Sequence, residues 1–235
     1  MHGPGKLFLI PAPISENLSV IPPQVIHEIK EIRYFLAENM RTARRYLRDL
    51  KIFESIEAIH FEEFNKNTSP ESLPSLLSPL QHGNNMGILS ESGCPGIADP
   101  GALAVAYAHQ NNISVFPLVG PSSIILALMA SGLNGQCFAF HGYLPIKSPQ
   151  RIKAIKKLEK ESQKNRQTQI FIETPYRNQN LLKDLVHHLH PHTALCIAQD
   201  LTGEKEEIRT FPIEKWKGQN VQLAKVPSIF LFQVL

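Results

Sequence analysis

The stretch MGILSESGCPGIADPG, residues 86–101, decides the fold of this chain, and VFPLVGPSSIILALMASGL at residues 115–133 repeats its pattern. In each stretch a short apolar run ends in a loop rich in glycine, proline and serine. Ligands of open α/β sheets bind just beyond the carboxyl ends of the strands, so two such loops predict a cleft for a small molecule. The loops hold little Lys or Arg, which disfavours a bare polyphosphate as that molecule.

Composition indicates a globular protein of one large or two small domains, since 43% of the 235 residues are apolar and 19% are charged. Cys94, Cys137 and Cys196 lie far apart and form no CxxC pair, which indicates a reducing compartment and argues against a zinc cluster. The sequence has neither a membrane-spanning apolar run nor a signal-like start. We therefore expect a cytoplasmic protein with no membrane association.

Apolar runs alternate with helical patterns through the first half of the chain. This alternation predicts a mainly parallel five-stranded sheet covered on both faces. The expected strands are 6–11, 31–37, 56–61, 86–90 and 114–118. The expected helices are 23–30, 40–50, 69–81 and 100–110.

A second α/β unit begins near Cys137, and its last two strands indicate a mixed sheet. We place the domains at residues 1–120 and 121–235. The expected helices of the second unit are 150–164 and 178–190, and its later strands are 169–173, 193–199, 207–211 and 228–235.

The turn after the first strand argues against an ordinary Rossmann nucleotide site. A Rossmann site needs glycines there so that the backbone can approach the ligand, yet this turn reads PAPISENLS at residues 11–19. The chain has no P-loop either.

Six sequence runs, in order and at compatible spacings, resemble those of the tetrapyrrole methylase superfamily, the class III methyltransferases that use S-adenosylmethionine (SAM). Within it, the chain is most similar to the family that 2′-O-methylates a cytidine of small-subunit ribosomal RNA. The closer runs are SESGCPGIADPG (90–101), VGPSSIILALMASGL (119–133), FAFHGYLPIK (138–147) and ETPYR (173–177), and the looser ones are PAPISENL (11–18) and AENMR (37–41).

This resemblance implies that SAM binds in a cleft between two α/β domains, in a homodimer that acts on RNA of the small ribosomal subunit. The cofactor-binding residues it implies in the first half are Pro11, Ser90, Glu91, Ser92, Gly93, Gly120, Pro121, Ser122 and Ser123. Those it implies in the second half, beside the adenine, are Ala198, Gln199, Pro227 and Ser228.

The chain departs from the family pattern at three positions. Glu91 and Asn39 each stand where the family has Asp, and Cys94 stands where it has Thr. The asparagine removes a carboxylate that could act as a base or pair with a cation. The chain also ends soon after the second domain, where the family often carries a further small domain.

Methyl transfer is an in-line displacement that depends mostly on positioning, although a general base helps when the acceptor is an alcohol. The candidates for this base are Glu38, Glu91, Glu173 and His141. Each could instead have a structural role, such as an ion pair between Glu173 and Arg177.

Four arginines share one face of the helix expected after the second strand, at Arg41, Arg44, Arg45 and Arg48. They could bind RNA phosphates, or they could form a solvated surface. A second basic run, from Lys147 to Arg166, has the same two interpretations. The histidines of VHHLHPH (186–192) straddle a helix end and a proline, so we expect no metal site there.

Two other functions remain open at this point. The chain could be a class III methyltransferase with a tetrapyrrole or protein acceptor, or a non-catalytic module that binds SAM or RNA. The basic runs favour RNA, because a tetrapyrrole needs an open apolar bowl rather than a basic rim.

Overall fold

The computed structural model describes residues 3–219 and 221–235. The chain forms two α/β domains, one with a parallel sheet and one with a mixed sheet, which confirms the predicted fold class. The first compact unit ends at Ser122 and the second begins at Ser123. Within the described residues, no helix is both long enough and apolar enough to cross a membrane.

The first unit has a five-stranded sheet in the order β3-β2-β4-β1-β5, and every pair of neighbours is parallel. Its strands are β1 (Leu7–Ile10), β2 (Tyr34–Ala37), β3 (His60–Glu63), β4 (Met86–Leu89) and β5 (Val115–Pro117). Its helices are α1 (Pro23–Ile29), α2 (Met40–Asp49), α3 (Leu73–Leu76), α4 (Ser78–Gln81) and α5 (Gly101–Gln110).

Strand β1 shows why this sheet is covered on both faces. Its side chains alternate between two apolar clusters, Phe8 and Ile10 in one and Leu7 in the other. Helices α1 and α2 contribute to the first cluster, and α3, α4 and α5 contribute to the second. The continuous apolar runs seen in the sequence are therefore the strands of a sheet buried on both sides.

Three predicted elements differ from the observed ones by three residues or more. Strand β2 begins at Tyr34 rather than at 31, because the preceding residues form a turn in which Ile32 N donates to Ile29 O at 3.0 Å. The helix expected at 69–81 is a 3-10 turn (Pro70–Ser72) followed by the short helices α3 and α4. Each of the three pieces has a proline in its first turn, and a proline cannot donate the backbone hydrogen bond that would continue the preceding helix. Strand β3 begins at His60 rather than at 56, because the preceding residues form a turn in which Ile59 N donates to Ile56 O at 3.1 Å.

The second unit has a mixed sheet in the order β6-β7-β10-β8-β9, in which only β6 and β7 run parallel. Its strands are β6 (Phe138–Tyr143), β7 (Thr168–Glu173), β8 (Ala194–Gln199), β9 (Glu207–Pro212) and β10 (Ser228–Gln233). Its helices are α6 (Ser123–Ser131), α7 (Ser148–Asn165), α8 (Asn178–His188) and α9 (Ile213–Lys217).

One member of the second basic run, Arg151, is buried rather than available to RNA. Its side chain is 7% exposed, and its Nη2 lies 2.6 Å from Asp184 Oδ2 of α8. Its Nη1 also donates to Ile146 O at 2.8 Å. Arg151 therefore fastens α7 to α8 and to the segment before α7, so the interpretation that grouped it with the exposed lysines is wrong for this residue.

Replacing Arg151 tests this assignment, because removing one partner of a buried ion pair leaves the other charge unpaired. We expect Arg151→Met to lower the free energy of unfolding in urea by about 3 kcal/mol, and a second change, Asp184→Leu, to restore much of the loss. The control is Lys157→Met, whose pair with Glu161 is 76% and 38% exposed and contributes at most about 1 kcal/mol. Equal effects at Arg151 and Lys157 would contradict the assignment.

Candidate functional site

Three loops of the first unit meet because β1 lies between β4 and β5 in the sheet. The parallel strands end at the same edge, so the loops that follow them are neighbours there. The loops after β1 and β4 are joined directly, since Ala12 N donates to Gly93 O at 2.9 Å and Gly93 N donates to Ala12 O at 3.1 Å. This edge holds the predicted residues Pro11, Ser90 to Gly93 and Gly120 to Ser122, whereas Ser123 begins α6 of the second unit.

Gly93 gives the loop after β4 its conformation. Its φ angle is +77°, in the region that other L-residues rarely adopt. Ser90 closes the loop from the strand side, since its Oγ donates to Gly93 O at 3.1 Å. The side chains of Glu91 and Ser92 are consequently exposed at the tip of the loop.

Gly120 allows the loop after β5 to pack on the loop after β1. A Cβ at this position would lie 2.1 Å from Pro11 Cβ, so only glycine permits this approach. Cys94 fastens the same loop to the one after β4, because its thiol donates to Pro121 O at 3.4 Å. Burial and the nearby Asp99 carboxylate raise the pKa of the Cys94 thiol, which favours its neutral form and a packing role.

Three carboxylates lie close together at this edge. Burial, and then the charges of Glu91 and Asp99, raise the pKa of Glu38, which directly follows β2. Burial also raises the pKa of Asp99, although its Oδ1 accepts hydrogen bonds from Gly96 N and, at 2.8 Å, from Gly101 N. Because Glu38 and Asp99 are harder to ionise here than in water, a cation bound beside them would stabilise their charged forms.

Helix α2 is fastened to this edge at both its start and its middle. Asn39 caps the helix, with its Oδ1 accepting from Arg41 N at 3.0 Å and Thr42 N at 3.2 Å. Tyr46 Oη donates to Pro11 O at 3.0 Å, in the loop after β1. An aspartate would cap the helix equally well, so the Asn39 departure leaves this local structure intact.

The four arginines of α2 are all exposed, as their spacing predicts, while Ala43, Tyr46 and Leu47 form the buried face. Arg48 pairs with Asp49 at 3.0 Å, and the pair is 67% and 41% exposed. The Arg44 guanidinium lies 5.3 Å from the centre of the Phe61 ring. The guanidinium groups of these four arginines, which we call the arginine stripe, are therefore accessible to a phosphate backbone.

In the second unit, Glu173 ends β7 and forms an ion pair with Arg177, which is the structural role given above as the alternative to a general base. Glu173 Oε1 lies 2.6 Å from Arg177 Nη2 and also accepts from Thr174 N at 2.6 Å. Within the described residues, Glu173 Oε2 is buried without a hydrogen-bond partner. The carboxylate is wholly enclosed and committed to the loop, which disfavours it as a general base.

Side-chain amides hold the segment that precedes β10. Asn178 Nδ2 donates to Val226 O and to Ser228 Oγ, each at 2.8 Å. Gln199 Nε2 donates to the same Ser228 Oγ at 2.9 Å and to Ala224 O at 3.3 Å. The predicted adenine-contacting residues Gln199 and Ser228 therefore lie side by side, and Ala198 and Pro227 directly precede them in the chain.

The remaining candidates are placed as follows. His141 of β6 is hydrogen-bonded through Nε2 to Gln169 Oε1 at 2.6 Å, which gives it a structural partner. The rings of His190 and His192 lie with their centres 5.3 Å apart and are tilted by 58° to one another. Among the described residues, no group of His, Cys, Asp or Glu has the arrangement of a metal site.

Sequence reasoning missed Asp99 and Asn178. Asp99 had a readable signal, since a DPG run before a helix commonly marks a capping carboxylate. Asn178 had none, because its partner Val226 lies 48 residues away in the chain. Contacts of this separation follow from the fold and leave no mark in a local motif.

Curated relatives align with most of the chain. It is 33% identical over 209 residues to ribosomal RNA small subunit methyltransferase I of Escherichia coli O157:H7, covering 89% of this chain and 70% of that relative. It is 31% identical over 214 residues to the protein of the same name from Synechocystis sp., covering 91% of this chain and 71% of the relative. No protein-family model matches the chain.

Solved structures share the fold. Uroporphyrin-III-C-methyltransferase from Thermus thermophilus superposes with a TM-score of 0.56 at 16% identity, over 98% of this chain and 92% of that one. The methyltransferase CobJ gives a TM-score of 0.62 at 13% identity, over 97% and 93%. With the fold shared and 33% identity to a relative of which it covers 70%, the chain belongs to the family of ribosomal RNA small subunit methyltransferase I.

Proposed function

We propose that this protein transfers the methyl group of SAM to the ribose 2′-hydroxyl of a cytidine in small-subunit ribosomal RNA. The observation that carries the proposal is the 33% identity, over 89% of the chain, to a relative named for methylating that RNA. Membership of the family makes the chain a SAM-dependent methyltransferase. That the acceptor is the 2′-hydroxyl of a cytidine is inferred from the resemblance of the sequence runs.

The edge formed by the loops after β1, β4 and β5 suits the methyl donor. SAM carries a positive sulfonium and an ammonium group, and Glu38, Glu91 and Asp99 gather negative charge at this edge. Gly93 and Gly120 let the backbones of two loops approach closely, which leaves main-chain groups for a ligand to contact. The proposal includes the SAM-binding residues implied for the first unit. It also includes the adenine contacts implied for the second unit, at Ala198, Gln199, Pro227 and Ser228.

The chemical step then depends mainly on alignment. Bound SAM would supply an activated methyl group, and the protein would hold the ribose oxygen in line with the bond between that methyl carbon and sulfur. The hydroxyl proton would pass to solvent water at or after transfer, so no strongly basic side chain would be required. We assign Glu91, exposed at the tip of the loop after β4, to binding the donor rather than to removing this proton.

The exposed arginine stripe of α2 is the proposed contact for RNA phosphates. It lies on the helix that Tyr46 fastens to the loop after β1, so a bound phosphate backbone would run beside the donor edge. We also propose that the protein acts as a homodimer in the cytoplasm, as the family resemblance implies.

Calorimetry with SAM and with S-adenosylhomocysteine tests the donor site. We expect the wild-type protein to bind both, and Gly93→Val to lose at least about tenfold in affinity, because a β-branched residue is strained at a φ of +77° and moves the loop. Gly83→Val is the matched control, since Gly83 has a φ of +84° at the opposite end of β4. The absence of binding heat and of a thermal shift at millimolar ligand would refute the donor site.

Salt dependence of RNA binding tests the arginine stripe. Changing Arg41, Arg44, Arg45 and Arg48 together to Gln should flatten the plot of log affinity against log salt by about 0.7 for each phosphate that the stripe no longer neutralises, with SAM affinity unchanged. The matched control changes the exposed Lys153, Lys156, Lys160 and Lys164 of α7 to Gln. If both quadruple variants lose the same affinity, net charge and not the α2 stripe governs binding.

Kinetics of Glu91→Gln separate donor binding from base catalysis. We expect KM for SAM to rise by about fivefold with kcat little changed, because an exposed carboxylate–cation pair contributes at most about 1 kcal/mol. Glu31→Gln, an exposed acid before β2, should change neither constant. A loss of roughly two to four decades in single-turnover rate at saturating SAM and RNA would assign Glu91 as the base instead.

A further inference from the structure

The ETPYR run builds a fixed turn at the end of β7. Arg177 N donates to Thr174 O at 2.9 Å, which closes a four-residue turn with Pro175 and Tyr176 at its centre. Proline is favoured at the first central position because its φ angle is already suitable. The buried Glu173 carboxylate accepts from Thr174 N at 2.6 Å and so fixes the start of the turn.

This fixed turn carries an aromatic side chain in solvent. Tyr176, at the second central position, is 85% exposed. Tyr143, the last residue of the neighbouring strand β6, is 58% exposed. Tyrosines ordinarily bury much of their ring, as Tyr46 does at 7% exposure, whereas Tyr176 is almost fully exposed and Tyr143 is more than half exposed, so both rings are available to a ligand.

Arg177 lies beside the Tyr143 ring and directly follows Tyr176 in the chain, and its side chain is held in place. Its Nε donates to Glu173 Oε1 at 2.8 Å and to Thr174 Oγ1 at 3.1 Å. Its guanidinium lies 5.9 Å from the centre of the Tyr143 ring, and its side chain is 25% exposed. Arg177 therefore adjoins Tyr143 in space and Tyr176 along the chain, and we call these three residues the tyrosine surface.

We propose that the tyrosine surface binds unstacked nucleobases of single-stranded RNA. A nucleobase stacks on an exposed aromatic ring whatever its sequence, and a planar guanidinium adds a further stacking plane. The charges favour RNA, because Glu173 is wholly buried and the exposed Lys147 adds a cation on the segment that follows Tyr143. The inference rests on the proposed function, and it adds that the RNA bound at this surface is single-stranded.

Fluorescence anisotropy with a labelled single-stranded RNA of mixed sequence, in saturating SAM, tests this inference. We expect Tyr176→Ala to weaken binding by about tenfold, since loss of one stacked base costs that much. Tyr176→Phe should bind as the wild type does, because the ring and not the hydroxyl makes the contact. The salt slope should stay unchanged, since stacking releases no counterions. The same RNA annealed to its complement should show no loss.

Phe138→Ala is the matched control, an aromatic residue 40% exposed at the other end of β6. It should leave RNA affinity unchanged, and thermal melting confirms that each variant is folded. Unchanged binding by both Tyr176→Ala and Tyr143→Ala would overturn the inference, as would equal losses in Tyr176→Phe and Tyr176→Ala. Unchanged RNA binding with slower methylation of whole small subunits would overturn it in favour of a protein contact. If the wild-type protein binds no RNA, the proposed function fails and this inference with it.

Discussion

The paired hydrogen bonds between Ala12 and Gly93 are the interaction on which the rest of this sheet edge depends. They join the loops after β1 and β4, and the contact of Gly120 with Pro11 adds the loop after β5. Because β1 lies between β4 and β5, the three loops are already neighbours, and these hydrogen bonds form without distortion of the sheet. The carboxylates of Glu38, Glu91 and Asp99 are then gathered by backbone geometry rather than by contacts with one another.

The second unit organises its strand ends by a different means. Side-chain amides of Asn178, Gln179 and Gln199 bond the backbone at Val221, Leu223, Ala224 and Val226, so they hold an irregular segment almost residue by residue. Burying an unpaired amide group costs about 1–3 kcal/mol. The NH2 groups of Asn178 and Gln199 are paired here, whereas Asn178 Oδ1 is buried without a hydrogen-bond partner among the described residues. The segment is consequently ordered without belonging to a helix or a strand.

The sequence predicted the fold class and the loops of the first unit because both depend on local signals. Apolar runs near residues 86 and 115 end in glycine and proline, and this pattern is readable without the structure. The break of the 69–81 helix was also readable in its prolines, but helical periodicity outweighed them. Arg151 and Asn178 could not be assigned, because their partners Asp184 and Val226 are set by packing between distant elements.

The position of β1 in its sheet has a consequence for synthesis on the ribosome. Both of its neighbours are made much later, since Leu7 is in register with Met86 and with Val115. Such pairings have a large loop-closure entropy, and they form slowly compared with local contacts. The apolar residues of β1 must therefore stay unpaired in the nascent chain until β4 and β5 emerge, a period in which a chaperone can bind them.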